Sequence, residues 1–263
     1  MYLSRVHVEN AESLDRDRLI DLMMKNAYVS HQLLWHLFPD NAEAKRDFLF
    51  REERQNGWPL FYLVSVREPQ SVPGLLRVET KDYAPAIKSG DKFAFRLRAN
   101  AVSHRKVNRT PEEEAAFKQT RSAKGLTEKI TKKRKRDDVF MRPKYELKQA
   151  GLKGAELRRQ AFELGKAAAI QWLTRQAASK GFEIPWIEDE FTGELVSAVE
   201  ISGYRQYRTV KSKSKETIEF SVLDYEGSLI VTDPVVFKNE ALFHGIGPAK
   251  AFGCGLLLVR RLG

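Results

Sequence analysis

Two stretches of the chain carry residue types able to move a proton or hold an anion. In the first, Tyr28 and His31 stand three residues apart, and on a helix residues i and i+3 share a face. A histidine titrates near neutrality, so it can give or take a proton at working pH. A tyrosine, whose free pKa is about 10, acts by hydrogen bonding or after its pKa has been lowered. Tyr28, His31, Trp35 and Phe38 also form an aromatic stripe at helical spacing, and such stripes ordinarily form core, so catalysis and packing both stand as readings of it. The second stretch, Gly245–Gly255, reads Gly-Ile-Gly-Pro-Ala-Lys-Ala-Phe-Gly-Cys-Gly. Glycines such as Gly245, Gly247 and Gly253 tolerate positive φ and let a backbone approach a ligand closely. Exposed N–H groups in such a loop can cradle a phosphate, to which Lys250 adds a point charge. No Gly-Lys-Ser/Thr triplet opens a helix, so this is not a Walker loop, and the glycines follow a helix rather than a first strand, so it is not a dinucleotide fingerprint. A plain turn before a final strand reads equally well.

Metal chemistry is not expected. The five histidines, His7, His31, His36, His104 and His244, include no His-Glu-x-x-His pair. His31 and His36 are five apart and poorly placed to share an ion on one helical face. The single cysteine, Cys254, excludes a Cys-based zinc site; without a partner histidine nearby, it reads as a small buried residue. No small-molecule cofactor is expected either.

The elements around these residues fall into a repeated order. Tyr2–Val8 alternates as a strand, Asp15–Met24 carries a helical stripe, and the helical run through His31 ends at Pro39, with Ser30 as a candidate cap. Asp47–Arg54 and Leu60–Val66 read as strands joined by an Asn56-Gly57 hairpin. A short helix and a short strand fit before Tyr83. Ser89-Gly90-Asp91 makes a turn, and the domain boundary is placed there. Lys92–Val102 is a strand with Phe93, Phe95 and Leu97 on one face and Arg96 and Arg98 on the other. A long polar tract follows, from His104 to about Lys144, then a helix over Glu156–Ser179 ending at Gly181. Strands over Leu195–Gln206 and Thr217–Val231 come next, then a helix opened by Asp233-Pro234 and a last strand over Leu256–Val259. The expected fold is therefore α+β: two tandem ferredoxin-like (RRM-like) βαββαβ domains, residues 1–88 and 89–263. The second domain carries the glycine-rich loop and a basic insertion over about 104–154. Parts of each sheet should lie against the other half.

The charge points to a polyanion. The 263 residues have a formal net charge of +10 and a pI near 9.6, which favours a polyanionic partner, with a generically basic soluble protein as the plainer reading. The bases cluster. Lys129, Lys132, Lys133, Arg134, Lys135 and Arg136 form a run of the kind that usually marks a solvated, mobile segment and that can also serve as an arm on phosphates. Arg208, Lys211, Lys213 and Lys215 crowd a hairpin tip. One cysteine, no signal peptide and no apolar run near the ~18 residues of a membrane span lead to a cytoplasmic protein.

Several segments together resemble one family. They are Met1-Tyr2-Leu3-Ser4-Arg5-Val6, His31-Gln32-Leu33-Leu34-Trp35-His36-Leu37-Phe38-Pro39, Arg51 after Asp47-Phe48-Leu49-Phe50, Phe95-Arg96-Leu97-Arg98-Ala99-Asn100, and the closing glycine loop through Leu257. In that order, they resemble the CasE-type CRISPR endoribonucleases of the RAMP superfamily, the repeat-RNA processing subunits of the type I-E surveillance complex Cascade, which acts in antiviral defence. The stretch from His104 to about Gly154 does not match. The resemblance implies two ferredoxin-like domains and metal-independent cleavage of CRISPR precursor RNA at the 3′ base of a repeat stem-loop. It implies a 2′,3′-cyclic phosphate, a 5′-hydroxyl, and retention of the mature guide alongside other Cascade subunits. The family's catalytic histidine falls on His31 and a tyrosine used in some members on Tyr28; a lysine used in others falls on His36, which leaves its role to another cation or to a protonated His36. His31 is expected to transfer a proton, preferably as the acid for the 5′-oxygen, with Tyr28 as base or orienter and His36 or Lys250 supplying charge; the resemblance does not fix this division, and the base role for His31 stays open. Arg96, Arg98, the Lys129–Arg136 run and the Arg208–Lys215 tip are the candidate phosphate contacts, since duplex RNA hides its base edges and is read mainly by shape and backbone. The alternative is a non-catalytic RNA-hairpin-binding subunit on the same fold.

Binding should weaken steeply with salt, because each phosphate contact releases counterions. Replacing Lys211, Lys213 and Lys215 by Ala should flatten the plot of log affinity against log salt. An unchanged slope would make the tip a solvated turn.

Overall fold

The structure, a computed structural model, describes residues 1–9, 27–39, 46–126, 132–210 and 217–263, without the side chains of residues 27, 28, 209 and 210. The expected helix over Asp15–Met24 lies outside these residues. The described chain divides into two compact units, residues 1–101 with 169–263, and residues 102–168.

In the first unit, β1 (Tyr2–Val8), α1 (Ala27–Trp35), β2 (Phe48–Gln55), β3 (Trp58–Ser65) and β4 (Leu76–Asp82) build a four-stranded sheet in the order β2-β3-β1-β4. All its neighbours are antiparallel. This is the ferredoxin-like order. Asn56 and Gly57 both take positive φ (51° and 83°), as a two-residue turn matched to the strand twist requires. No helix forms between β3 and β4; a bridge from Val72 to Leu76 tightens a turn there instead. Ser30 lies inside α1 rather than at its cap. It is fully buried, and its hydroxyl donates to Glu52 Oε2 at 2.7 Å.

The next elements are β5 (Lys92–Ala99), β6 (Val102–Val107), α2 (Pro111–Ala123), β7 (Lys133–Asp138), α3 (Arg142–Gln149) and α4 (Gly154–Ala178). β6 and β7 pair as an antiparallel hairpin, and α2 starts with a Thr110–Glu113 capping box. The basic run Lys132–Arg136 therefore lies almost wholly on a strand, and the described part of the tract is not the unstructured arm expected from its charge. Ion pairs supply what composition does not show: Lys133 of β7 reaches Glu113 of α2, and Arg105 of β6 reaches Asp137 of β7 at 2.5 Å.

The chain closes with β8 (Phe182–Glu183), β9 (Trp186–Glu188), β10 (Leu195–Ser197), β11 (Val199–Val210), β12 (Thr217–Val231), α5 (Pro234–Val236), a π-helix (Phe237–Phe243), a 3₁₀ turn (Lys250–Phe252) and β13 (Leu257–Arg261). The second sheet runs β11-β12-β5-β13, again ferredoxin-like, with β8 added beside β12. Asp233 caps α5, its Oδ1 accepting from Val235 and Val236 at 3.0 Å each. Trp172 and Leu173, from the end of α4, are buried, and Trp172 lies 6.0 Å from Tyr225 of β12.

The first sheet is covered on both faces. One carries α1 over Val6, Phe48, Phe50, Phe61 and Leu63. On the other, Leu49 and Val64 meet Leu256, Phe243 and Leu258 from the second half. Two-sided burial explains why β3 and the start of β2, Phe48-Leu49-Phe50, are apolar without alternation. A polar bracket crosses the same junction. Asp224 of β12 accepts from Arg98 Nε and Nη2 at 2.9 and 3.1 Å, from Arg205 Nη2 at 2.9 Å, and from Arg51 Nη2 of β2 at 3.4 Å. Arg98 Nη1 also donates to the Glu52 carbonyl at 3.0 Å. Among the described residues no helix is long and apolar enough to cross a membrane.

Removing one partner of a buried ion network leaves the others uncompensated, at about 3–5 kcal/mol. Asp224→Ala should lose that much by urea unfolding. Glu226→Ala, which breaks the half-exposed pair with Arg96, should lose less than about 1 kcal/mol. Equal losses would show that the Asp224 carboxylate is not what holds the arginines.

Candidate active site

His31 sits in the middle of α1, half-buried, with its ring 6.1 Å from Phe48 and 6.5 Å from Phe50, stacked on the latter. One turn on, Trp35 Nε1 donates to His31 Nε2 at 3.2 Å. A nitrogen that accepts carries no proton, so the neutral ring holds its hydrogen on Nδ1. Burial, with the positive charge of Arg46 adding to it, pulls the His31 pKa from 6.5 to about 4. The imidazole is therefore neutral at working pH, the form in which it can take a proton.

The glycine loop closes over α1 from the other half. The Lys250–Phe252 turn packs on α1 and β2. Gly245, Gly247, Gly253 and Gly255 all have φ between 75° and 92°, and Ala249 has 58°. The missing side chains make room for protein. A Cβ on Gly245 would stand 2.6 Å from the Gly255 carbonyl, one on Gly247 3.2 Å from Trp172, and one on Gly253 3.2 Å from Phe50. Phe50 thus lies between His31 and the loop. Gly255 N–H donates to the Arg98 carbonyl at 2.7 Å and Ile246 N–H to the Gly255 carbonyl at 2.9 Å. Cys254, enclosed between Gly253 and Gly255, is fully buried, and its thiol is pushed up to about 12, which removes it as a nucleophile.

The field at this junction is positive. The Lys250 pKa is lowered by burial first, then by Lys180 and Arg46, with Glu240 opposing. Lys180 is lowered by burial and donates to the Glu240 carbonyl at 3.0 Å. Arg46 is lowered by burial, and its buried Nη1 has no hydrogen-bond partner among the described residues. Cations gathered with so little compensation suit an anion. At Phe252 and Gly253 of the same loop a cleft of about 300 Å³ is lined by Phe50, Arg54, Arg98, Arg205, Tyr207 and Val222, together with the carboxylates Glu52 and Glu53. Tyr207 stacks on Phe220 at 5.2 Å, and Phe220 on Phe252 at 4.7 Å.

The other candidates are distributed differently. Tyr28 is in α1, three residues before His31. His36 lies beyond the last helical residue, exposed; the described contacts of His31 run to Trp35, Phe48 and Phe50 instead. Arg96 is exposed beside Glu226, and Arg208 beside Glu219. The Arg98 guanidinium is spent on Asp224 and Glu52. Lys132, Lys133, Arg134, Lys135 and Arg136 are exposed in the second unit. Lys129, Lys211, Lys213 and Lys215 lie outside the described residues. Among the described residues no three His, Cys, Asp or Glu side chains are grouped to hold a metal ion. Arg46, Lys180, Arg205, Tyr207 and Phe252 were not singled out by sequence reasoning. Phe252 lies in the glycine loop but was read only as part of it; the other four lie in no motif, and only the fold brings them together.

Comparison with known proteins places these features in context. A family model described as CRISPR associated protein matches residues 1–261. The chain is 29% identical to the CRISPR system Cascade subunit CasE of Escherichia coli strain K12 over 260 residues, 98% of each chain. It is similar in structure to the CRISPR-associated protein Cas6e of E. coli K-12, with 26% identity, full coverage of both chains and a TM-score of 0.56. Its fold also matches Thermus thermophilus Cse3 bound to an RNA representing a pre-cleavage complex, with 24% identity, 98% of each chain and a TM-score of 0.60.

Folding that neutralises a histidine makes stability pH-dependent. Between pH 6.5 and about 4 the unfolded chain binds the proton that folded His31 refuses, so stability should fall as pH drops through that window. The slope is at most about 1.4 kcal/mol per pH unit, and less for a ring that water partly reaches. Urea midpoints at pH 7 and pH 5 should separate more for the wild type than for His31→Gln. Equal separations would mean that another group titrates.

Proposed function

The chain belongs to the CRISPR-associated protein family, and from that premise we propose that it is an endoribonuclease of the CasE kind. It cuts CRISPR precursor RNA at the 3′ base of the repeat stem-loop without a metal ion, leaves a 2′,3′-cyclic phosphate and a 5′-hydroxyl, and keeps the mature guide as a cytoplasmic Cascade subunit. The observation that carries this reading is His31, neutral at working pH and packed on Phe48 and Phe50, beside the half-buried cations Arg46 and Lys250. In this reaction the nucleophile belongs to the substrate, so the protein has only protons and charge to manage. His31 takes the proton of the 2′-hydroxyl as its oxygen bonds to phosphorus, the bond from phosphorus to the 5′-oxygen breaks, and a second group returns a proton to that oxygen. The Trp35 N–H must release Nε2 for that nitrogen to serve as base. Tyr28, assigned from its spacing, is the partner in proton transfer. Arg46 and Lys250 offset the charge growing on the phosphoryl oxygens, the role for which the family's lysine is absent at His36. The cleft with Tyr207, Phe252 and Arg205 suits a flanking nucleotide, since unpaired bases stack on aromatic rings.

His31→Ala should lower the single-turnover rate by about 10²–10⁴-fold. RNA affinity should change by less than about 1 kcal/mol, the worth of one net hydrogen bond. The wild type should cut in EDTA, and a 2′-deoxy substitution at the cut should abolish cleavage while leaving binding. Activity restored only by Mg²⁺ or Mn²⁺ would sink the mechanism. A His31→Ala protein whose cleavage falls only in step with its folded fraction would make the ring a core residue and the chain a binder.

A further inference from the structure

A hairpin on the second sheet has the opposite character to the rest of this basic chain. From Gly181 to Tyr204 there are six carboxylates and no Lys, Arg or His, although the 263 residues hold 45 Lys and Arg. Four of the carboxylates, Glu188, Asp189, Glu190 and Glu194, lie on β9, β10 and the tip between them. Residues 186–195 also carry exposed apolar side chains: Trp186 is 67% exposed, Phe191 96% and Leu195 68%. Leu195 pairs with Glu188 and Ser197 with Trp186, and residues directly opposite share a face. Trp186, Glu188 and Leu195 therefore form one surface, mixed apolar and acidic.

The tip is not a loose loop. Asp189 Oδ1 accepts from the Phe191 and Thr192 amides at 3.0 and 2.9 Å and from the Thr192 hydroxyl at 3.0 Å. Asp189 and Gly193 close the ends through backbone bonds of 2.8 Å. The base is tied to the sheet, because Ala198 is buried and accepts from Ser228 N–H at 3.0 Å. A phenyl ring held in water on an ordered turn does nothing for folding, and holding it there in advance lowers the entropy cost of burying it against something else.

Charge decides what that something is. Carboxylates without a base among them repel RNA, whereas Glu188, Glu190 and Glu194 make no ion pair among the described residues and remain available to a cationic surface. We propose that this hairpin docks a protein subunit that presents an apolar pocket for Phe191 ringed by lysine or arginine. The proposal rests on the reading of the chain as a Cascade subunit. It assigns the protein contact to a surface separate in chemistry from the cationic junction around His31.

The test is reconstitution of the chain, its guide RNA and the remaining purified subunits, with retention of the chain read by analytical gel filtration across a salt series. Phe191→Asp, and separately the Glu188→Lys/Glu190→Lys pair, should weaken retention at least tenfold, as loss of a central aromatic anchor does. Wild-type retention should itself fall with rising salt. Guide-RNA affinity, cleavage rate and melting temperature should be unchanged, because the substituted residues are exposed. Retention of both variants at the wild-type level would overturn the proposal while leaving the Cascade reading intact. A wild-type chain that does not join the complex would overturn that reading and the proposal with it. Tenfold weaker RNA binding by Phe191→Asp would make the ring an RNA platform. A wild-type dimer without partners that Phe191→Asp dissolves would make the occupant a second copy. Either result refutes the assignment.

Discussion

The Asp224 carboxylate is the point on which the first unit turns. Three guanidiniums, from β2, β5 and β11, converge on one acid that is itself largely buried. Taking these charges out of water is expensive and is compensated only if every partner is in place. Burial alone would loosen the Arg98 proton, yet the hydrogen bonds and charge of Asp224 outweigh it and raise its pKa. This bond set is directional in a way that the apolar junction of Leu49, Val64 and Leu256 is not. It sets where β2 lies against the second sheet. Glu52, on that strand, accepts from Ser30 of α1 through its carboxylate and from Arg98 through its carbonyl. The helix carrying His31 is thereby tied to the sheet that carries the glycine loop.

Most of the fold was legible because it rests on local rules. Alternation marked β1 and β5, the Asn56-Gly57 pair marked its hairpin, and Asp233-Pro234 marked a helix start. The misreadings came where distant partners override local preference. Ser30 has the chemistry of a cap, but a carboxylate 22 residues away claims its hydroxyl. The Lys132–Arg136 run repels itself in sequence, but pairing with β6 makes it a strand. The candidate site was half legible. His31 and Lys250 stand out by type and context, whereas Arg46 and Lys180 are ordinary surface-looking bases until folding brings them to the same junction. The starting protonation state of His31 depends on that assembly and no spacing rule contains it.

Net charge conceals an internal division. A total of +10 describes neither the cationic junction nor the hairpin from Trp186 to Leu195. The first gathers bases whose charge burial makes costly, and the second gathers acids in open water. A polyanion approaching the molecule meets a field that attracts at one place and repels at another, so orientation is imposed before contact.

The sole thiol of the chain lies inside the glycine loop, enclosed and with its ionisation suppressed. An alkylating reagent can reach it only when the loop opens, since neither access nor thiolate exists while it is closed. Cys254 is therefore a built-in clock for that opening. Its labelling rate in the native protein measures how often the backbone beside Lys250 parts from α1, with no probe to be installed and no second cysteine to confuse the count.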